Sequence, residues 1–186
     1  MFYVKTTLKR SNYMNQVLEN IYARRSVRQF TEQAVSKQQL EALVGAGIHA
    51  PSGMNKQLWH FSAVQNQQLL SSLAKTVGEI LGREGYDFYS PNALILVSNH
   101  RDNPHGEADC ACALQNIFLA AQSLGLGSVW INQFRGICDD PRLRPLLSKA
   151  KVPEDHIIWG AAAIGYPLHP YNQSHRDTEG KIDIIL

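Results

Sequence analysis

The chain has 186 residues, of which 44% are hydrophobic and 18% are charged, and its formal net charge at pH 7 is +2. This length and apolar content suffice for the core of one domain, which we expect to span residues 1–186. The small net charge argues against the strongly basic face of a nucleic-acid-binding protein, and no apolar run approaches the roughly 20 residues that span a bilayer.

The N-terminus and the cysteines indicate the compartment. The opening "MFYVKTTLKRSNYMNQ" has no apolar stretch followed by a cleavage site, as a signal peptide would. Cys110, Cys112 and Cys138 are odd in number and are not spaced as a disulfide framework. We therefore expect a cytoplasmic protein that binds neither nucleic acid nor a membrane.

Two helices are predicted in the first fifty residues. Apolar residues at helical spacing over residues 14–22 predict a helix that begins near Asn12 and ends at the segment "RRSVRQF". Ser36 followed by Gln39 is the capping-box pattern of a second helix. Its far end is weakened by two glycines.

Strands and helices then alternate. "WHFSAV", residues 59–64, predicts a strand with Trp59, Phe61 and Ala63 on one face, and a helix follows it. "ALILVS", residues 93–98, is continuously apolar, as in a strand covered on both faces.

The second half predicts a long helix and two more strands. "EADCACALQNIFLAAQSLG", residues 107–125, is apolar around most of its circumference and ends in Gly125, a suitable cap. "SVWI" (128–131) and "IIWGAAAIG" (157–165) are predicted strands, joined by a helical segment at 139–149. The total is four internal strands among five helices.

The C-terminal segment "KIDIIL", residues 181–186, has the composition of a strand and follows a long polar stretch. It can pair with this chain's own sheet or add a strand to a partner subunit. Both alternatives remain open from the residues alone.

The segment "RRSVRQF" concentrates cations. In an extended backbone Arg24, Ser26 and Arg28 share one face, whereas in a helix Arg24 and Arg28 do. A guanidinium group can donate two parallel hydrogen bonds to phosphate oxygens, and a serine hydroxyl adds a further donor. The alternative is a solvated basic helix end that complements the helix dipole.

The segment "APSGMNKQLWHF" is a second candidate. Pro51, Ser52 and Gly53 break the preceding helix, and Asn55 and Gln57 then offer amide groups just before a strand. Such amides can hydrogen-bond the edge of a flat heterocycle. The alternative is an ordinary polar turn.

Other kinds of site find little support. Cys110 and Cys112, with His105 and Asp109 nearby, lack the two separated ligand pairs of structural zinc, so we expect no metal site. The chain has no "GxGxxG" after a strand, so a nicotinamide nucleotide would not bind in a Rossmann site.

Together, "RRSVRQF", "APSGMNKQLWHF", "LGLGSVWI" and "AIGYP" resemble, in order and approximate spacing, the nitroreductase family of FMN enzymes. The resemblance covers residues 24–176. It implies an α+β fold in which helices wrap a mixed central β-sheet as three αβα layers. It also implies a homodimer with flavin at the subunit interface, the helix at 107–125 in the dimer core and the C-terminal strand exchanged.

The resemblance assigns residue roles. Arg24 and Ser26 would hold the FMN phosphate and ribityl chain, with Arg25 nearby. Arg28 would face the N1 and O2 edge of the ring, where a cation stabilises reduced flavin. The other implied cofactor-binding residues are Pro51, Ser52, Asn55 and Gln57 at the ring edge, Val129, Trp130, Ile131 and Asn132 through their backbone groups near N5 and O4, and Arg176 at the phosphate.

The implied activity is a ping-pong oxidoreduction. NADH or NADPH would deliver hydride to flavin N5, and a small electron-poor acceptor such as a nitroaromatic or quinone would then take the electrons. Beyond the flavin no catalytic side chain is expected, except Arg28 as a charge stabiliser. The alternatives are a flavin carrier or sensor without turnover and a specialised member that acts oxidatively on another substrate.

Overall fold

A computed structural model describes residues 14–170 and 184–185. The helices are α1 (Gln16–Ala23), α2 (Lys37–Ile48), α3 (Gln67–Leu81), α4 (Gly106–Ser123) and α5 (Arg144–Lys149); the strands are β1 (Trp59–Val64), β2 (Ala93–His100), β3 (Gly127–Ile131) and β4 (His156–Gly165). The predicted order of elements is confirmed. Arg176 and all but two residues of the predicted C-terminal strand lie outside the described residues.

The four strands form one sheet in the order β1-β2-β4-β3, and each neighbouring pair is antiparallel. A parallel bridge between Ser26 and Ser128 lies beside β3. Among the described residues, the expected mixed character of the sheet is limited to this bridge. β1 and β3 are the two edge strands of this four-stranded sheet, and each candidate motif lies beside one of them.

Helices cover both faces of this sheet. One core lies under α3 and α5 and includes Leu73, Leu147 and Ala161. The other lies under α2 and α4 and includes Leu43, Ile117 and Ala162. Because β4 is central and carries alanines toward both cores, the helices on either side can approach the sheet closely. The predicted α+β class with three αβα layers is confirmed.

Two predicted helix caps are present. The Ser36 hydroxyl accepts from the Gln39 N–H at 3.2 Å, and the Gln39 side chain accepts from the Ser36 N–H at 3.0 Å. After α4, Gly125 adopts φ 71°, and the Leu126 N–H donates to the Ala121 carbonyl at 2.8 Å. The latter is a Schellman cap, which requires a residue at positive φ.

Two predicted boundaries are wrong. α1 begins at Gln16, not near Asn12, because the Asn15 side chain caps it by accepting from the Leu18 N–H. β1 places Trp59, Phe61 and Ala63 on one face as predicted: Trp59 and Phe61 pack against the core under α2 and α4, and Ala63 is exposed at the end of that row.

The second is the helix expected at 139–149, of which α5 occupies the last six residues. The Asp140 carboxylate accepts from the Arg142 N–H at 2.9 Å, a local turn that competes with helix formation. In the described part of the chain, no helix combines the length and the hydropathy needed to cross a membrane.

Candidate functional site

The arginine segment is extended and lies against the edge strand β3. Arg24 ends α1 with φ −56° and ψ 132°, and the Val27 N–H donates to the Ser128 carbonyl at 2.9 Å. A Cβ atom on Gly127 would stand 2.8 Å from the Val27 side chain, so glycine permits this close approach. The extended alternative is therefore the correct one for this segment.

A cavity of about 180 Å³ opens where this segment meets β3 and α4. It is lined by Arg24, Ser26, Gln115, Phe118, Ser128, Val129 and Trp130. The wall thus combines a guanidinium group, two hydroxyls and two aromatic rings. This donor set suits an anion joined to a flat apolar group.

Sequence reasoning predicted four of the lining residues and missed three. Ser128 lies one residue before Val129 in the predicted strand "SVWI", and this position is the signal that could have identified it as a lining residue. Gln115 and Phe118 enter because α4 crosses behind β3, and no local pattern in the chain indicates that crossing.

The Trp130 indole packs beside Phe118 of α4 and over Gly160 of β4. Its ring centroid is 5.9 Å from that of Phe118. A Cβ atom at Gly160 on the adjacent strand would stand 2.8 Å from Cζ2 of the indole and 2.8 Å from the Leu114 side chain. Gly160 therefore makes room for the indole, which stays 38% exposed.

Ile131 and Asn132, the other two residues whose backbone groups are predicted near N5 and O4, are not among the lining residues of the cavity. Ile131 is buried in the core under α3, so its side chain does not face the cavity. Asn132 follows the end of β3, is exposed, and donates its N–H to the Gln133 side chain at 3.0 Å. Any contribution of Ile131 to a ligand must come from its backbone.

Arg28 lies apart from Arg24 and Ser26. With Val27, Gln29 and His169 it borders a separate, open concavity of about 330 Å³. Its guanidinium carbon stands 5.8 Å from the centre of the Tyr89 ring, within cation–π distance. The predicted common face thus holds for the first two residues and not for Arg28.

Arg25 is turned back onto the helix that precedes it. Its Nη1 donates to the carbonyl of Tyr22 at 2.6 Å and to that of Arg24 at 2.9 Å. These carbonyls lie at the C-terminal end of α1, where a cation is favourable. The interpretation as a basic helix end therefore describes Arg25, whereas Arg24 lines the cavity.

The second motif is a loop with an unusual backbone. Met54, Asn55 and Gln57 have φ of 52°, 54° and 50°, which costs non-glycine residues on the order of 1–3 kcal/mol each. The Gln57 side-chain amide donates to Asn55 Oδ1 at 2.9 Å, and its N–H donates to the Ser52 hydroxyl at 3.2 Å. Pro51 is exposed at the start of the loop. The two predicted amides are thus exposed and hydrogen-bonded to each other.

This loop is attached to the start of α4. The Gly53 N–H donates to Asp109 Oδ1 at 2.8 Å, and the Asp109 side chain is 3% exposed. The Asn103 amide donates to Asp109 Oδ2 at 3.1 Å and to Asn99 Oδ1 at 2.9 Å. A Cβ atom on Gly53 would stand 2.5 Å from the His105 ring. Sequence reasoning weighed Asp109 as a metal ligand and missed this contact.

Two of the three cysteines, Cys110 and Cys138, are buried. Burial raises the pKa of the Cys110 thiol to about 12 and also raises that of Cys138, so both stay protonated at neutral pH. Within residues 14–170 and 184–185, no group of three histidine, cysteine or acidic side chains is arranged to hold a metal ion.

One chain does not bring the two motifs together. The loop at 52–57 precedes β1, while Arg24 and Ser26 lie along β3, the opposite edge of the sheet. Three strand spacings of about 4.8 Å separate those edges by roughly 14 Å. The cavity beside β3 and the amide loop are therefore separate half-sites within the chain.

Comparison with known proteins identifies the family. The Nitroreductase family model matches residues 21–90 and 84–166. The chain is 37% identical to a nitroreductase with bound FMN from Bacteroides fragilis, covering 93% of this chain and 100% of that one, with a TM-score of 0.84.

Two further relatives agree. A nitroreductase with bound FMN from Desulfitobacterium hafniense is 26% identical, with 89% of this chain and 100% of that one covered and a TM-score of 0.73. An FMN reductase [NAD(P)H] of Bacillus subtilis is 26% identical over 175 residues, which covers 83% of this chain and 67% of the relative. By its sequence, its three-layer fold and the residues gathered beside β3, the chain belongs to the nitroreductase family.

Proposed function

We propose that this protein is an FMN-dependent oxidoreductase that passes electrons from NADH or NADPH to an electron-poor acceptor such as a nitroaromatic or a quinone. The observation that carries the proposal is the convergence of Arg24, Ser26, Ser128 and Trp130 on one cavity. Relatives named as an NAD(P)H-dependent FMN reductase and as FMN-bound nitroreductases support the same chemistry.

The residues present fit FMN. The Arg24 guanidinium and the hydroxyls of Ser26 and Ser128 can donate to phosphate oxygens. The exposed indole of Trp130 offers a flat apolar surface on which a planar ring can stack. Bound FMN would supply a two-electron carrier that accepts hydride. The protein binds and orients this group, and no described side chain must act as acid or base.

Arg28 would stabilise the reduced form of the flavin. Its side chain is exposed and lies over Tyr89, so it can be redirected without breaking a buried contact. A guanidinium at the N1 and O2 edge of a flavin would offset the negative charge that develops there on reduction.

The proposal includes a homodimer in which each site is completed by the partner. Asn55 and Gln57 lie at the sheet edge opposite the cavity of their own chain, so a partner's loop is the natural source of the ring-edge amides. No residue of α1 is buried, and Val17, Ile21 and Tyr22 expose an apolar face beside α4. Exchange of the C-terminal strand and a location in the reducing cytoplasm are part of this proposal.

The test is flavin content and turnover. We expect purified protein to show a flavin absorption spectrum, to release about one FMN per chain on denaturation and to oxidise NADH or NADPH with a quinone. Arg24→Ala should weaken FMN binding at least tenfold. Arg142→Ala, which removes an arginine paired with Asp140 far from the cavity, is the matched control.

The possible results distinguish the proposed enzyme from its alternatives. A colourless protein that takes up no added FMN contradicts the whole proposal. Bound FMN that neither nicotinamide nucleotide reduces supports the carrier or sensor alternative. A monomer with full activity contradicts completion of the site by the partner.

A further inference from the structure

We propose that Asp109 is a positioning residue for the flavin site, because its buried carboxylate fixes the place of the loop that presents Asn55 and Gln57. This inference rests on the proposed function and assigns a task to a residue that would not touch the ligand.

The loop's own hydrogen bonds fix its shape. The Asn55 N–H donates to the Ser52 carbonyl at 2.9 Å, and the Lys56 N–H donates to the Gly53 carbonyl at 3.1 Å. The bonds from Gln57 to Ser52 and Asn55 are also internal. A loop closed only on itself could still move as a rigid unit about its two ends.

Asp109 supplies an attachment from outside the loop. It lies in the first turn of α4, 56 residues further along the chain than Gly53, and takes the Gly53 N–H at 2.8 Å. Gly53 also packs against His105, leaving no space for a Cβ atom. The bond and the close packing together define one position of the loop relative to α4.

The carboxylate is itself held in place. Its second oxygen accepts from the Asn103 amide, which also donates to Asn99 in β2, and the Asn103 carbonyl oxygen of the side chain accepts from the His105 N–H at 3.1 Å. A single buried carboxylate therefore joins the loop, α4 and the end of β2. An amide at position 109 could keep one acceptor but would turn its NH₂ group toward a neighbouring donor.

Asp109→Asn and Asp109→Ala test the inference, and Asp140→Asn is the matched control. Asp140 also accepts a backbone N–H at 2.9 Å, but in the turn before α5, away from both motifs. We expect Asp109→Asn to weaken FMN binding about tenfold, to shift the flavin absorption bands and midpoint potential, and to raise KM for the acceptor more than it lowers kcat. Asp140→Asn should leave all five quantities unchanged.

A measurement without flavin separates position from ligand chemistry. Hydrogen exchange of the protein without added FMN should become at least tenfold faster in peptides that cover residues 52–57 of Asp109→Asn, with little change over β4. If Asp109→Ala does not fold, Asn103→Ala, which removes one hydrogen bond to the carboxylate, should give smaller changes in the same direction.

The inference is overturned if folded Asp109→Asn keeps wild-type FMN affinity, flavin spectrum and loop exchange. It is also overturned if Asp140→Asn alters FMN affinity and potential to the same extent, because the effect would then follow general stability. A wild-type protein that binds no FMN is recognised separately from its spectrum and overturns the proposed function together with this inference.

Discussion

Two loops of this molecule use the same rare backbone and are held in opposite ways. In the loop at 87–90, Phe88, Tyr89 and Ser90 all have positive φ, as do three residues of the loop at 52–57. In the loop at 87–90, the Asp87 carboxylate accepts hydrogen bonds from the Tyr89 N–H and the Ser90 hydroxyl. The fully buried Phe88 stacks on Phe134 at 5.3 Å.

The loop at 52–57 has no such apolar anchor among its own described residues. Its apex residue Met54 is 72% exposed, and its attachment is the polar bond to Asp109 on a distant helix. A hydrophobic anchor hides the residue that provides it, whereas a polar backbone anchor leaves the loop's side chains facing outward. The second arrangement is the one a ligand-binding loop needs.

The largest effect should come from removing the hydrophobic anchor. Phe88→Ala leaves a cavity between Phe134 and Tyr86, so we expect the free energy of unfolding to fall by about 3–5 kcal/mol. Met54→Ala, at the exposed apex of the other loop, should change it by less than about 0.5 kcal/mol. Denaturant unfolding of both variants measures the contrast, and equal losses would contradict it.

An intermediate effect should follow from adding one methyl group to each region. Gly53→Ala places a Cβ atom against the base of the His105 side chain and should cost about 1–3 kcal/mol. It should also weaken FMN binding, because the loop must move away from α4. Gly85→Ala, in open space at φ 65°, should cost about 1 kcal/mol through backbone strain alone. Unchanged FMN affinity in Gly53→Ala would contradict the difference.

The smallest effect concerns Tyr86 beside the hydrophobic anchor. Burial raises the pKa of its hydroxyl above the ordinary value of 10, and that hydroxyl has no hydrogen-bond partner within the described residues. Because the pKa is higher in the folded state, the resulting stability is complete below pH 10 and is lost as the pH rises above it.

Tyr86→Phe should therefore be as stable as the wild type at pH 7, or more stable by up to about 1 kcal/mol. It should also lose less stability between pH 9 and 11. Melting temperatures of both proteins across that range measure this. A variant that loses the same amount as the wild type would show that the Tyr86 hydroxyl is hydrated.

Local chemistry was enough to predict the parts of the structure that depend on neighbours in sequence. The Ser36 and Gly125 caps and the four strands follow from capping rules and periodicity. The family resemblance assigned Arg24, Ser26, Val129 and Trp130 to one ligand, and these four residues line one cavity, but it did not predict the bridge between Ser26 and Ser128. All of these predicted features follow either from patterns among residues close in sequence or from the family motifs.

The remaining features depend on contacts that no local pattern encodes. The bond between Gly53 and Asp109 joins residues 56 positions apart, and the positive φ values of the loops at 52–57 and 87–90 fall on residues other than glycine. The spacing of Val17, Ile21 and Tyr22 predicts an apolar helix face, and this face is exposed among the residues that the structure describes. Arg28 points toward Tyr89 because that ring is brought there by a separate loop.

The sheet order also constrains when the candidate phosphate site can form during synthesis. β3 emerges from the ribosome before β4, and among the described strands it pairs with β4 alone, so this pairing must wait until about residue 165 has been made. The segment after α1 bonds to Ser128 and then to Tyr166 and Leu168. Residues made near the start of translation thus reach their final place only when nearly the whole chain exists, and cofactor uptake at Arg24 would report a completed fold.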